Sequence, residues 1–75
     1  MANKLRIVRE KKKLSQKKLA DLAGIGQPSI AAYESGARTP TAKSAFLIYN
    51  ALIPKRDQNL KSFIRFWGFD NIENN

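Results

Sequence analysis

Residues 14–40, LSQKKLADLAGIGQPSIAAYESGARTP, set two short apolar-periodic runs on either side of Gly24 and close the second with Gly36 and Pro40. A helix of only about eight residues is marginal in water by itself. A chain written this way must stabilise both helices by packing them on other elements, and it must turn sharply between them. Gly24 stands where a helix end wants a left-handed residue, and Ile25 behind it is the apolar contact that commonly accompanies such a cap. Ser15 caps the run Gln16–Ala23, whose inward residues are Leu19, Leu22 and the small Ala20 or Ala23. The following run, Gln27–Ser35, carries Pro28 in its first turn, where the missing N–H is harmless, and turns Ile30 and Tyr33 toward a core before Gly36 ends it.

The rest of the chain supplies the packing partners. Asn3 can cap a first helix running to about residue 13, with Leu5 and Val8 on one face and Ile7 off it. Thr41 caps a fourth helix, Ala42–Leu52, stopped by Pro54. Asp57 is read as the cap of a fifth, residues 58–67, in which Leu60, Phe63, Ile64 and Trp67 fall at i, i+3, i+4 and i+7. No window alternates as a strand does, and the punctuation falls at helical spacings, so the expectation is all-α with five helices. The chain reads as one domain over residues 1–69, with a core at 5–52, the extra C-terminal helix, and a frayed tail at 70–75.

Composition narrows the chemistry. With no cysteine and no histidine, disulfides, a thiolate nucleophile and the common zinc-ligand sets are excluded. Six scattered carboxylates and no phosphate-cradling glycine loop leave no acid–base or cofactor site to assemble, so neither an enzyme nor a bound cofactor is expected. GIGQPS lacks the preceding strand and the lysine that a nucleotide loop requires. No apolar run approaches the roughly 18–20 residues of a membrane span, and the opening MANKLRIVREKKK lacks the apolar centre of a secretory signal, so a cytoplasmic address without membrane contact is expected.

The net charge is +8, and eight of the fourteen basic residues (Lys4, Arg6, Arg9, Lys11, Lys12, Lys13, Lys17 and Lys18) lie within the first eighteen positions. A polyanion is the partner class this predicts. The alternative on charge alone, given less weight, is a solubilising face. A basic amphipathic helix on a membrane surface fits less well, because the apolar positions are committed to a core.

The order Leu14-Ser15-Gln16, Leu19-Ala20, Ala23-Gly24-Ile25, Ser29-Ile30, Tyr33-Glu34, Gly36 and Pro40 resembles the Cro/CI-type (XRE) helix-turn-helix family of phage repressors and small bacterial regulators. The resemblance covers residues 5–52 without gaps and implies a lambda-repressor-like domain whose third helix enters the major groove of double-stranded DNA. It further implies that Gln16, with Lys17 beside it, meets a phosphate and braces the third helix. Arg9 and Glu34 match a pair that forms an ion pair in relatives, the alternative being two unrelated surface charges. Gln27, Pro28, Ala31 and Ala32 occupy the base-reading positions, with Ser29 among them, and Arg38 and Thr39 lie in the loop that grips the DNA backbone. Leu19, Ala20, Gly24, Ile25 and Ile30 are structural.

One departure from the pattern matters. Direct readout needs side chains that present paired donors or acceptors, and of the base-reading positions only Gln27 can do so. A small-residue helix also suits contact with another protein. Two functions therefore stand: a small Cro/repressor-like regulator acting as a dimer on a roughly palindromic operator, or an antirepressor that docks on a partner repressor through the same surface. The run Phe46 to Tyr49, FLIY, is apolar all round and FIRFWGF concentrates aromatics, so Phe46, Tyr49, Phe66 and Trp67 are candidates for a homodimer face. The alternative is that the fifth helix closes the core of a single chain.

Overall fold

In the computed structural model, which describes residues 3–69, the Asn3 side-chain oxygen accepts the Leu5 N–H (3.0 Å) and opens α1, Leu5–Lys11. The helix stops two residues short of the expected end. Lys13 adopts φ +59°, while Lys13 N–H reaches Glu10 O and Leu14 N–H reaches Arg9 O, a left-handed cap built on a lysine where glycine is usual. The early stop turns the Leu14 carbonyl back onto Arg9, whose Nη1 donates to it (2.7 Å).

The Ser15 hydroxyl then accepts the Lys18 N–H (3.0 Å) and starts α2, Gln16–Ala23. Gly24, at φ +72°, ends it as expected, and the Ile25 N–H bonds back to Ala20 O (3.0 Å) while the Ile25 side chain packs against the core. The α3 helix, Gln27–Ser35, follows after Gly26 with Pro28 in its first turn, and Gly36, at φ +83°, closes it. The α4 helix, Ala42–Leu52, is capped by the Thr41 hydroxyl on Ser44 N–H (3.1 Å) and ends as Ile53 becomes extended before Pro54.

The α5 helix begins later than the sequence suggests. Pro54 initiates a single 3-10 turn, Lys55–Asp57, in which Asp57 N–H bonds to Pro54 O, so Asp57 belongs to the turn and does not cap the helix. The Gln58 amide bridges Asn50 Oδ1 (3.0 Å) and the Ile53 carbonyl (2.8 Å). Asn59 becomes the cap, accepting Ser62 N–H (2.8 Å), for α5, Leu60–Trp67.

Among the described residues the structure is all-α, with five helices and no strand. The α2 helix packs between α3 and α4, α1 rests on α3, and α5 closes over α4. Leu5, Leu19, Ala20, Ala23, Ile30, Tyr33, Ala45, Ile48, Tyr49, Leu52, Phe66 and Trp67 form one core. Two sequence expectations change. Leu22 is 54% exposed, because the close approach of α2 to its neighbours is made by Leu19, Ala20 and Ala23. On α5, Leu60 is exposed and Phe63 and Ile64 are half-buried, while Phe66 joins Trp67 inside. Lys4 N–H donates to Phe66 O (2.9 Å), Trp67 Nε1 donates to Ala45 O (3.2 Å), and Tyr49 meets Phe63 and Phe66 edge to face, contacts that rotate α5 toward Phe66.

Those contacts also correct the dimer face. Tyr49, Phe66 and Trp67 are core residues of a single chain, Trp67 with no exposed surface at all, and none of the three is available to a second copy. Phe46, 53% exposed, is the one residue of that set on the surface. The tail at 70–75 lies outside the described residues.

Candidate nucleic-acid interface

The geometry of α2 and α3 is held by a buried polar network. Arg9 Nε donates to Glu34 Oε2 (2.5 Å) and Nη2 to Oε1 (3.1 Å), and Gln16 Nε2 donates to the same Oε1 (3.1 Å). Arg9 is buried and Glu34 is half-buried as a residue, while their side chains are only 10% and 6% exposed. The fork-on-fork geometry fixes orientation as well as distance. One carboxylate thereby ties the last turn of α1, the first residue of α2 and the end of α3. Burial pushes the Glu34 carboxyl up, but the hydrogen bonds from Arg9 and Gln16 and the charge of Arg9 outweigh it and hold the group below the usual carboxylate range. The hydrogen bond to Glu34 raises Arg9 further against the opposing effect of burial. Asn3 adds a second tie, its side-chain amide donating to the Tyr33 carbonyl (3.3 Å).

With its inner side fixed by Ile30 and Tyr33, α3 presents its first turn to solvent. Gln27 and Pro28 are exposed, and Ser29, Ala31 and Ala32 are half-buried. Gln16 is half-buried against Glu34, so the bracing half of its expected role is made within the chain. Lys17 is exposed and forms an i,i+4 pair with Asp21 (3.5 Å), an interaction of small value on an open surface. Thr39 is exposed in the loop after α3.

Arg38 is exposed, and its side chain turns back onto α3. Its Nη2 donates to Ser29 Oγ (2.8 Å), its guanidinium carbon lies 5.4 Å from the Tyr33 ring centroid, and its backbone N–H reaches Ala32 O (3.3 Å). The loop residue therefore lies along the flank of α3 formed by Ser29, Ala32 and Tyr33 at i, i+3 and i+4. Nothing in the sequence pattern signals this contact across nine positions. The Leu14 carbonyl that completes the Arg9 network is equally silent in sequence, since it follows from the left-handed Lys13.

Among the described residues no group of His, Cys, Asp and Glu side chains is arranged to hold a metal ion, and no helix is long and apolar enough to cross a membrane. Surface basic residues are carried by α1 (Arg6 and Lys11), by the turn after it (Lys12 and Lys13) and by the first turn of α2 (Lys17 and Lys18), a continuous stretch of chain leading to the α2 N-terminus.

The comparisons with known proteins agree with this geometry. The helix-turn-helix family model matches residues 5–52, which span α1 to α4. YqaE of Bacillus subtilis (strain 168), described as an uncharacterized HTH-type transcriptional regulator, is 42% identical over 57 residues, which make up 76% of this chain and 49% of that protein. The chain thus spans about half the length of this relative. No solved structure matches it. The chain belongs to the XRE-type helix-turn-helix family.

Proposed function

We propose that the protein is a DNA-binding transcriptional regulator of the small Cro/repressor-like kind, which lays α3 in the major groove of double-stranded DNA. The observation that carries this reading is the Arg9–Glu34–Gln16 network, which clamps α1, α2 and α3 from behind and leaves Gln27, Pro28 and Ser29 on an outward edge. A helix presented this way meets base edges with its N-terminal residues, while the preceding helix crosses the backbone. Gln27 is suited to adenine, and Ala31 and Ala32 to thymine methyl groups. Lys17, Thr39 and the N-terminal turn of α2 would meet phosphates in this reading, and the +8 charge would supply affinity through counterion release. On a palindromic operator two copies would bind half-sites about 34 Å apart, with Phe46 the remaining aromatic candidate for a contact between them.

The test is fluorescence anisotropy with duplexes from neighbouring promoters across a salt series. Neutralising some five to eight phosphates predicts a slope of log K on log salt of about −4.5 to −7. A flat salt response, or no binding to any such duplex, would count against the reading.

The antirepressor alternative is favoured by one observation, the 54% exposure of Leu22 on α2. An aliphatic side chain there gains nothing from a phosphate backbone and would gain from an apolar partner surface. Co-purification with a repressor from the native host, lost in Leu22→Lys and accompanied by no DNA binding, would select it.

A further inference from the structure

Resting on the DNA-binding reading, we propose that Arg38 reads a guanine, acting as a specificity-determining residue delivered from the flank of α3. The resemblance places this residue in a loop that grips the DNA backbone. Its geometry here is different from what that task needs. A phosphate contact needs no more than a positive charge within reach, although an arginine fork can also make it bidentately. Arg38, though exposed, is tied at both ends: the backbone N–H on Ala32 O and the Nη2 on Ser29 Oγ, with the guanidinium carbon 5.4 Å from the Tyr33 ring centroid. The preceding loop residue is held too, since Ala37 N–H bonds to Ser35 Oγ (3.3 Å) and Ser35 Oγ in turn to Ala32 O (3.2 Å). A planar fork held in one orientation suits bidentate recognition, of a base edge as well as of a phosphate, and its place beside the first turn of α3 favours the base.

The partner class follows from the donors. Ser29 occupies one N–H of the guanidinium, and the rest of the fork remains open and purely donating. In the major groove the edge that presents two acceptors side by side is guanine, through O6 and N7. Ser29 lies in the first turn of α3, the same turn that carries Gln27, so Arg38 is brought to the end of the helix that meets the bases. This arrangement resolves the scarcity of readers on α3: Gln27 and Arg38 together supply two bidentate contacts, one suited to adenine and one to guanine.

The experiment is selection from a randomised duplex pool with the wild type, Arg38→Lys, Arg38→Ala and Ser29→Ala, followed by anisotropy on the selected site and its single-base variants over a salt series. The wild type should select a G·C pair at one fixed position and discriminate against the other pairs there by about 5- to 150-fold. Arg38→Ala should lose that discrimination, Arg38→Lys, which keeps a donating charge without the fork, should retain part of it with an unchanged salt slope, and Ser29→Ala should weaken it. Retained guanine preference in Arg38→Ala, which leaves no donor, would overturn the proposal. So would equal weakening on every sequence in Arg38→Ala with a salt slope shallower by about one unit, the signature of a phosphate contact. Binding without any fixed G·C pair defeats this proposal alone, whereas a wild type that binds no duplex defeats the DNA-binding reading and this proposal with it.

Discussion

Replacing Arg9 by alanine tests whether the three-helix clamp exists in solution and what it is worth. The substitution removes both N–H bonds to Glu34 and the donor of the Leu14 carbonyl, leaving a carboxylate of 6% side-chain exposure with only the Gln16 amide. Removing one partner of a buried pair costs about 3–5 kcal/mol, because the other charge stays buried. A chain of this length has a total stability of about 4–11 kcal/mol. The single change therefore consumes a large part of the margin. In urea, with a slope of ~1 kcal/mol per molar for so small a domain, the midpoint should fall by ~3 M or more, or the chain should be unfolded in buffer. Far-UV circular dichroism and the fluorescence of the buried Trp67 give two independent probes of the same transition. The double variant Arg9→Met/Glu34→Leu removes both charges at similar volume and should recover most of the loss. Two results would refute the reasoning: a midpoint shift in Arg9→Ala below ~1 M, or a double variant no more stable than the single one. Either would mean that the pair is open to water and does not hold the helices.

The same network predicts a pH dependence. The Glu34 carboxyl is held below its ordinary range in the folded chain, so its contribution is full above the unfolded value of about 4.3 and is lost as the pH falls from there through the folded value. Urea midpoints measured from pH 7 down to pH 3 should drop across that window in the wild type and drop less in Glu34→Gln, and parallel profiles would contradict the assignment. Trp67→Ala should cost about 3–5 kcal/mol by opening a cavity in the core of one chain, with no concentration dependence of its own. Leu60→Ser, on the exposed first turn of α5, should stay within about 0.5 kcal/mol of wild type in the same urea titrations.

The cap residues explain why so much of the fold could be read in advance. Ser15, Thr41, Gly24 and Gly36 act through their own backbone angles or a hydroxyl reaching three residues along, so α2, α3 and α4 have the bounds their punctuation predicts. Asp57 against Asn59 shows the boundary of that logic: two good caps stood near each other, and the turn after Pro54 together with the Gln58 bridge to Asn50 and Ile53 selected the later one. The Arg9–Glu34 pair, twenty-five positions apart, is legible in the sequence only through family resemblance, because charge identity alone does not distinguish a buried fork from two solvated residues.

By itself, then, the sequence determined the number, order and approximate ends of the helices, the sharp turn at Gly24 and the basic character of the surface, since each of these depends on local backbone preference or on simple charge. Tertiary structure alone decided that Leu22 and Phe46 face outward, that Tyr49, Phe66 and Trp67 are consumed by the core, and that Arg38 returns to Ser29 on the flank of α3. The physical reason is the same in each case. Rotation of a helix about its axis and the seat of a long side chain are set by what packs against them from distant parts of the chain, and periodicity offers several faces where the neighbours permit one.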